Sequence, residues 1–235
     1  MKVAIMQPYL FPYLGYFQLI KAVDNFVFYD DVNYIKQGWI NKNRILTNGS
    51  VSEFTVSLSG ASSFQKICET RINQYAYQHW KGKFFKTLEH SYKKTPYFKD
   101  AFEVVSLVFS ENHEFISDLA FDSVMRTCRY LGIQTKITDT SRNYQNDNLN
   151  AQDRVIDICL KENADEYINP IGGRELYDHA SFNQQGLKLH FLKASLSPYP
   201  QGSAEFILGL SIIDLMMNLA PIEILQMTTH HELAQ

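Results

Sequence analysis

Apolar residues run unbroken through VAIM (3–6) and again through FVFYD (26–30), and between them Tyr13, Tyr16, Phe17 and Ile20 recur at helical spacing. Unbroken apolar runs of this length fit strands covered on both faces, as in a parallel sheet. Pro12 fits the first turn of the intervening helix, where a missing N–H costs little. So short a strand–helix–strand crossover demands parallel, right-handed pairing. EFTVSLS (53–59) alternates and reads as a third strand, at an edge of the sheet.

From about 64 to 132 the pattern changes. Trp80, Phe84 and Leu88 lie four apart, as do Ile116, Ala120, Val124 and Cys128, which predicts three or so helices without strands, an insertion or cap on the sheet. The α/β rhythm then returns, with IQTKITD (133–139) as a strand, DRVIDICLKENA (153–164) as a helix, and EYIN (166–169) and LKLHFL (187–192) as strands. The expected architecture is a single α/β domain over 1–235 with a mostly parallel, Rossmann-like sheet.

Composition narrows the function classes. The chain has 235 residues, 45% of them hydrophobic and 14% aromatic, enough for a substantial core. A formal net charge of −3 gives no support to nucleic-acid binding, which needs a strongly basic surface. The opening is expected not to be a signal peptide, since Pro8 and Pro12 interrupt its short apolar start. The apolar stretch 206–225 contains Asp214, Asn218 and Glu223, so it reads as a core helix rather than a membrane span. Cys68, Cys128 and Cys159 are widely spaced and fit reduced thiols in a cytoplasmic protein. His230 and His231 fall in a tail expected to fray, and no metal site is expected there.

Candidate chemistry gathers just past the strand ends, where α/β proteins form their ligand crevice. Gln7 follows the first strand, and Tyr13-Leu14-Gly15-Tyr16 occupies the place where nucleotidyltransferase-like proteins carry a His-x-Gly-His signature. The glycine allows a nucleotide to approach the backbone, but tyrosine cannot supply the positive charge of an imidazolium. Packing of a tight turn is the alternative role for both tyrosines. Asp30 and Asp31 end the second strand, followed by Lys36, Trp39, Asn41, Asn43 and Arg44. Such carboxylates can hold Mg²⁺, accept a proton from an amine or orient a sugar hydroxyl, while Lys36 and Arg44 suit phosphate. A local ion-pair network is the other reading. Trp39 either stacks on a base or sugar, or plugs the core.

Gly172 and Gly173, followed by Arg174, make a second turn open to an anion, or a plain tight turn. Gln201 precedes a segment in which Ser211 and Asp214 have the spacing of a capping box, and a ligand phosphate at that helix start is the alternative.

The stretches QPYLFPYLGYFQLI, DNFVFYDDVNYIKQGWINKNRI, DRVIDICLKENADEYINPIGGRELYD and YPQGSAEFILGLSIIDLMMN resemble the WbqC-like family over nearly the whole chain. The family often has a proline before LSIID, where this chain has Leu208-Gly209, a departure that bears on the local turn. The resemblance implies a place in O-antigen or surface-polysaccharide biosynthesis, attaching an acyl or aminoacyl group to the amine of a nucleotide-linked sugar. In a ligase-like version, ATP would activate the acyl group and Lys36 and Arg44 would hold phosphates. Asp31 would take the amine's proton, and Gln7, Asn41 and Asn43 would orient hydroxyls or the nucleotide. A non-catalytic nucleotide-sugar-binding partner of a neighbouring enzyme and a glycosyltransferase are the competing classes.

Overall fold

A computed structural model describes residues 1–203 and 205–234; Ala204, inside the YPQGSAEF stretch, and Gln235 lie outside the described residues. The first apolar run forms β1 (Lys2–Met6), and α1 (Leu14–Lys21) returns the chain to β2 (Asn25–Phe28). The two strands are parallel, with Val3 opposite Asn25 and Met6 opposite Phe28. Every residue of β2 is buried, as expected for a strand covered on both faces.

The chain then leaves this sheet. β3 (Lys42–Thr47) and β4 (Ser50–Thr55) form a separate antiparallel hairpin, and β5 (Leu58–Ser59) pairs with β6 (Arg71–Ile72). The helices α2 (Gln74–Tyr92), α3 (Phe98–Ser110) and α4 (Ile116–Leu131) follow. The chain rejoins the sheet at β7 (Lys136–Thr138), parallel to β2. Next come α5 (Ala151–Lys161), β8 (Glu166–Pro170), α6 (His179–Gln184) and β9 (Lys188–Ala194). Two short helices, α7 (Ile212–Asn218) and α8 (Pro221–Met227), precede the antiparallel edge strand β10 (His231–Ala234).

The six-stranded sheet has the order β10-β9-β8-β1-β2-β7. Connections run outward in one direction from β1 to β7 and in the other from β8 to β10. The strand order therefore reverses between β1 and β8, and the crevice of a doubly wound sheet opens at the C-terminal ends of those two strands.

Four expectations need correction. EFTVSLS does not join the main sheet: part of it is β4, paired with β3, and its last two residues form β5. The hairpin turns at Asn48 and Gly49, whose φ values of 53° and 72° both lie in the left-handed region that a two-residue hairpin turn requires. Short strand β6 stands inside the segment read as purely helical. The apolar stretch 206–225 is two helices, because Pro221 starts a new one at its first turn. The C-terminal histidines do not fray: His231 pairs with Ala194 on β9. No helix among the described residues is long and apolar enough to cross a membrane.

Helix α1 is the axle of the fold. Its residues from Leu14 to Ile20 are all buried, so even Gln18 is fully enclosed. Burial of an amide costs free energy unless its atoms are paired. The Gln18 amide nitrogen faces the carbonyls of Ser195, Met227 and His230 at 2.8, 2.9 and 2.8 Å, and its oxygen accepts the Ser195 N–H at 3.2 Å. One side chain thus ties α1 to the end of β9 and to the turn before β10.

Asp214 is a second enclosed polar centre. It is fully buried and accepts the hydroxyls of Tyr92 at 2.6 Å and Tyr199 at 2.7 Å. Burial raises its carboxyl above the usual range, although the two tyrosines pull the other way. A raised folded value means that this group's contribution to stability is complete below the ordinary value of 3.8 and is lost as pH rises through the folded value. Asp214→Asn removes that titration. Urea unfolding of both proteins across the acid-to-neutral range is expected to show the wild type gaining on the variant as pH falls; a pH-independent gap would contradict it.

Candidate functional site

The turn between β1 and α1 carries the strain of the site. Phe11 is fully buried with φ 41°, a left-handed conformation that is costly for a bulky residue. Three side chains from distant segments hold it there. Asn43 of β3 donates to the carbonyls of Leu10 and Phe11 at 3.1 and 2.8 Å. Ser211 donates its hydroxyl to the Phe11 carbonyl at 2.7 Å, and Ser123 of α4 accepts the Phe11 N–H at 3.0 Å.

Beyond this turn a cleft of about 370 Å³ opens at the reversal point, bordered by Met6 at the end of β1 and Pro170 at the end of β8. Tyr9, Tyr13, Tyr16, Trp39 and Arg44 line it with Gly15, Asn43 and Gly209. Burial pushes all three tyrosine hydroxyls upward, so they remain neutral phenols. Tyr16 spends its proton on the Gln7 carbonyl at 2.9 Å. No lining side chain of the cleft is a carboxylate, imidazole or thiol.

Arg44 is the cleft's cation. Its guanidinium lies 5.2 Å from the centre of the Trp39 ring and donates to the Gly209 carbonyl at 3.2 Å. Its Nε is buried without a hydrogen-bond partner, and no carboxylate among the described residues lies within ion-pair distance of it. Gly209 has φ 69°, and a Cβ there would sit 3.5 Å from the Arg44 terminal nitrogen, so the glycine supplies a backbone conformation rather than clearance. Gly15 has the opposite role. A Cβ on it would come within 2.4–2.6 Å of the Tyr13 ring, so glycine is what lets that ring lie across the helix start.

The model of the WbqC-like protein family matches residues 7–225. The chain belongs to the WbqC-like protein family. Over 222 residues it is 31% identical to "Uncharacterized protein Rv1507c" of Mycobacterium tuberculosis (strain ATCC 25618 / H37Rv), an alignment that covers 92% of this chain and 93% of that protein. No solved structure matches.

In this WbqC-like chain the residues singled out from the sequence divide into three groups. Tyr13, Gly15, Tyr16, Trp39, Asn43 and Arg44 meet in the cleft. A second group is structural. Asn41 is buried, accepting from Tyr34 and donating to the Val56 carbonyl, both at 2.8 Å. Gln201 closes its loop through paired bonds to the Ile207 backbone at 2.9 and 2.8 Å. Ser211 is fully buried beneath Phe11 and caps α7 through the Ile213 N–H, while the Asp214 carboxylate turns to its tyrosines, so the two do not form a capping box. Gly172, Gly173 and Arg174 lie in a 3-10 turn after β8, with Arg174 over the Phe191 ring; a Cβ at Gly173 would collide with the Asn169 amide at 2.3 Å.

The third group is the acid–base set, and it does not converge. Lys36 is exposed on the loop before Trp39 and borders no cavity described here. Asp31 is buried in an ion pair with Arg154 of α5 at 2.5 Å, with the Ser141 hydroxyl on its other oxygen. Asp30 shares the Ser141 hydroxyl with Asp31: that hydroxyl lies 3.3 Å from Asp30 Oδ1, and Asp30 Oδ2 lies 3.5 Å from Arg142 Nε. Its Oδ1 accepts the Thr140 hydroxyl at 2.7 Å and the Ser141 N–H at 3.1 Å. Burial raises its carboxyl above the usual range against those bonds and the nearby Arg142. Asp30 borders a separate cavity of about 490 Å³ beside α4. No three His, Cys, Asp or Glu side chains among the described residues come together to hold a metal ion.

The sequence reading missed Tyr9, Pro170 and Gly209 in the cleft, and Arg154 behind Asp31. Only Arg154 left a signal, as a basic residue on the otherwise apolar face of a predicted helix. The three thiols are buried and inert, with burial pushing Cys68 up to about 11 and Cys128 and Cys159 to about 12.

Two outcomes follow. Arg154→Met leaves Asp31 a buried, uncompensated charge and is expected to lower unfolding free energy by about 3–5 kcal/mol in chemical denaturation. A loss under about 1 kcal/mol would show the pair to be dispensable. Gly15→Ala is expected to swing the Tyr13 ring into the cleft, visible as shifted Tyr13 ring resonances in a protein that stays folded; unchanged resonances would refute that role for the glycine.

Proposed function

We propose that this protein binds a nucleotide-linked amino sugar in the cleft at the reversal point and takes part in transferring an acyl or aminoacyl group to the sugar's amine. The observation that carries the binding half is Arg44. A partly buried guanidinium without a carboxylate partner, walled by aromatic rings, has an unmet demand for an anion. Phosphates of a sugar nucleotide fit that demand, and low local polarity strengthens the attraction. Trp39 and the tyrosines offer flat faces and neutral hydroxyls to a base and a sugar. The cleft's volume lies within the ordinary range for small-molecule sites.

The transfer half, with its place in surface-polysaccharide assembly, rests on the family resemblance. ATP, or a preformed activated acyl donor, is the co-reactant this reading needs, and a cytoplasmic location is part of it. A second reading is favoured by Asp31: its closed pair with Arg154 removes the proton acceptor expected from the sequence, and the cleft itself offers no base. In that reading the protein only binds the sugar nucleotide and serves a neighbouring enzyme. Glycosyl transfer through an Asp30–Asp31 metal pair is disfavoured, since Asp31 is closed against Arg154 and Asp30 is held by Thr140, Ser141 and Arg142.

Thermal shift with a panel of nucleotide-linked amino sugars is expected to show concentration-dependent stabilisation. Arg44→Ala is expected to weaken that binding by about 10- to 100-fold, the loss of a charged hydrogen bond. Equal stabilisation of both proteins would remove Arg44 from the site. Mass spectrometry after incubation with ATP and amino acids, or with acyl-CoA donors, separates the two readings. A gain of mass on the sugar supports transfer, and binding without it supports the partner role.

A further inference from the structure

Helix α2 packs one face into the core and leaves the opposite face without a partner. Tyr77, Phe84, Leu88 and Tyr92 are its buried residues, at helical spacing. On the other side Tyr75, His79, Lys83, Lys86, His90 and Lys93 are exposed and recur every three or four residues. An α-helix completes a turn in about 3.6 residues, so these side chains fall in one line. From Tyr75 to Lys93 that line is roughly 27 Å long, at about 1.5 Å per residue. Lys94 stands beside its end.

The line is cationic in an acidic chain. Residues 74–94 carry five lysines against one acid, Glu89, a charge of +4 that leaves −7 on the remainder of a chain with net charge −3. Lys81 is committed inward, donating to the Phe109 carbonyl at 3.2 Å and lying 5.7 Å from the centre of the Tyr77 ring. Lys83, Lys86, Lys93 and Lys94 have no carboxylate within ion-pair distance among the described residues. The segment has no arginine. Lysine is a point charge on a flexible stem, whereas the rigid fork of arginine suits one discrete phosphate. The start of the line is aromatic. Tyr75 is 94% exposed, and with His79, Trp80 and Lys83 it lines a hollow of about 760 Å³. Tyrosine and tryptophan rings, apolar in the body and polar at the tip, settle where an apolar layer meets a wet one.

We propose that this face of α2 docks on a lipid bilayer that carries anionic headgroups. Charge complementarity selects the occupant. A row of unpaired ammonium groups along one straight element meets a partner that is flat, extended and diffusely negative. The lysines lie over the headgroups, with their apolar stems along the boundary, and the Tyr75 and Trp80 rings sit at headgroup level. The negative remainder of the chain is repelled by the same surface, so the charge distribution selects this face and no other. Nucleic acid is the competing extended polyanion. It is disfavoured by the absence of arginine from the line and by the negative charge of the whole chain. The docking face requires nothing of the ligand in the cleft.

Sedimentation of the full chain with extruded vesicles is the test. Vesicles of equal parts phosphatidylcholine and phosphatidylglycerol are expected to carry the protein down, and added salt to release it, while phosphatidylcholine alone does not bind it. Lys83→Gln with Lys86→Gln, and separately Lys93→Gln with Lys94→Gln, should fold with unchanged melting temperatures, since all four side chains are exposed. Each pair should weaken binding by about 25-fold, or about fivefold per lysine. Lys188→Gln removes the same charge from an exposed position on β9 and should leave binding unchanged. No sedimentation with the anionic vesicles, equal sedimentation with neutral ones, or a loss with Lys188→Gln as large as that per lysine on α2 would overturn the proposal. A chain that ignores vesicles but retards a single-stranded or duplex oligonucleotide in a gel, through the same lysines, would give the face to nucleic acid and overturn it too. The cleft is read separately, because stabilisation by sugar nucleotides through Arg44 is measured without vesicles.

Discussion

Everything near the site depends on one strained residue being held in place. Phe11 in the left-handed region costs about 1–3 kcal/mol, and it persists because its surroundings leave it no alternative. The restraints come from the hairpin through Asn43, from α4 through Ser123 and from the start of α7 through Ser211. Each hydrogen bond contributes about 0.5–1.5 kcal/mol net, so together they offset the strain. Their larger effect is geometric. They fix three segments, distant in sequence, around one turn, and that turn forms the wall between two cavities.

The wall matters because it keeps opposite charges apart. On one side Arg44 stands among aromatic rings with no acid; on the other, carboxylates outnumber guanidiniums. If the two sets shared a single space, Arg44 would pair with Asp30 and both would be silenced. The closed Asp31–Arg154 pair shows what such neutralisation looks like here. Of the adjacent aspartates beyond β2, which share the Ser141 hydroxyl, one is locked against α5 and the other borders the cavity beside α4.

Much of the fold was legible because it is written in local periodicity. The unbroken runs at 3–6 and 26–30 and the helical spacing at 13–20 fixed the first parallel pair, and the later α/β rhythm supplied β7, β8 and β9. The hairpin was misread because Lys42–Thr47 was weighed for its chemistry rather than its pattern, although Asn48-Gly49 is a strong turn signal. The cleft was partly legible, since loop residues close behind a strand end have few places to go. The groups beside α4 were not. His113 and Asp122 meet through the packing of a loop against a helix, and nothing in their spacing marks them.

The comparison of Tyr13-Leu14-Gly15-Tyr16 with a His-x-Gly-His turn takes on a different meaning with the structure in hand. In such a turn, glycine gives a nucleotide access to the backbone. Here the space over Gly15 is filled by the Tyr13 ring itself, and Tyr16 is committed to the Gln7 carbonyl. Both tyrosines build the cleft's wall instead of charging it. A wall of neutral phenols and an indole has low polarity, and a charge beside it interacts more strongly than one in water. Replacing two imidazoles by tyrosines therefore removes positive charge while raising the worth of what remains. Among the side chains that line the cleft the one cation is Arg44, delivered from the hairpin rather than from the helix start.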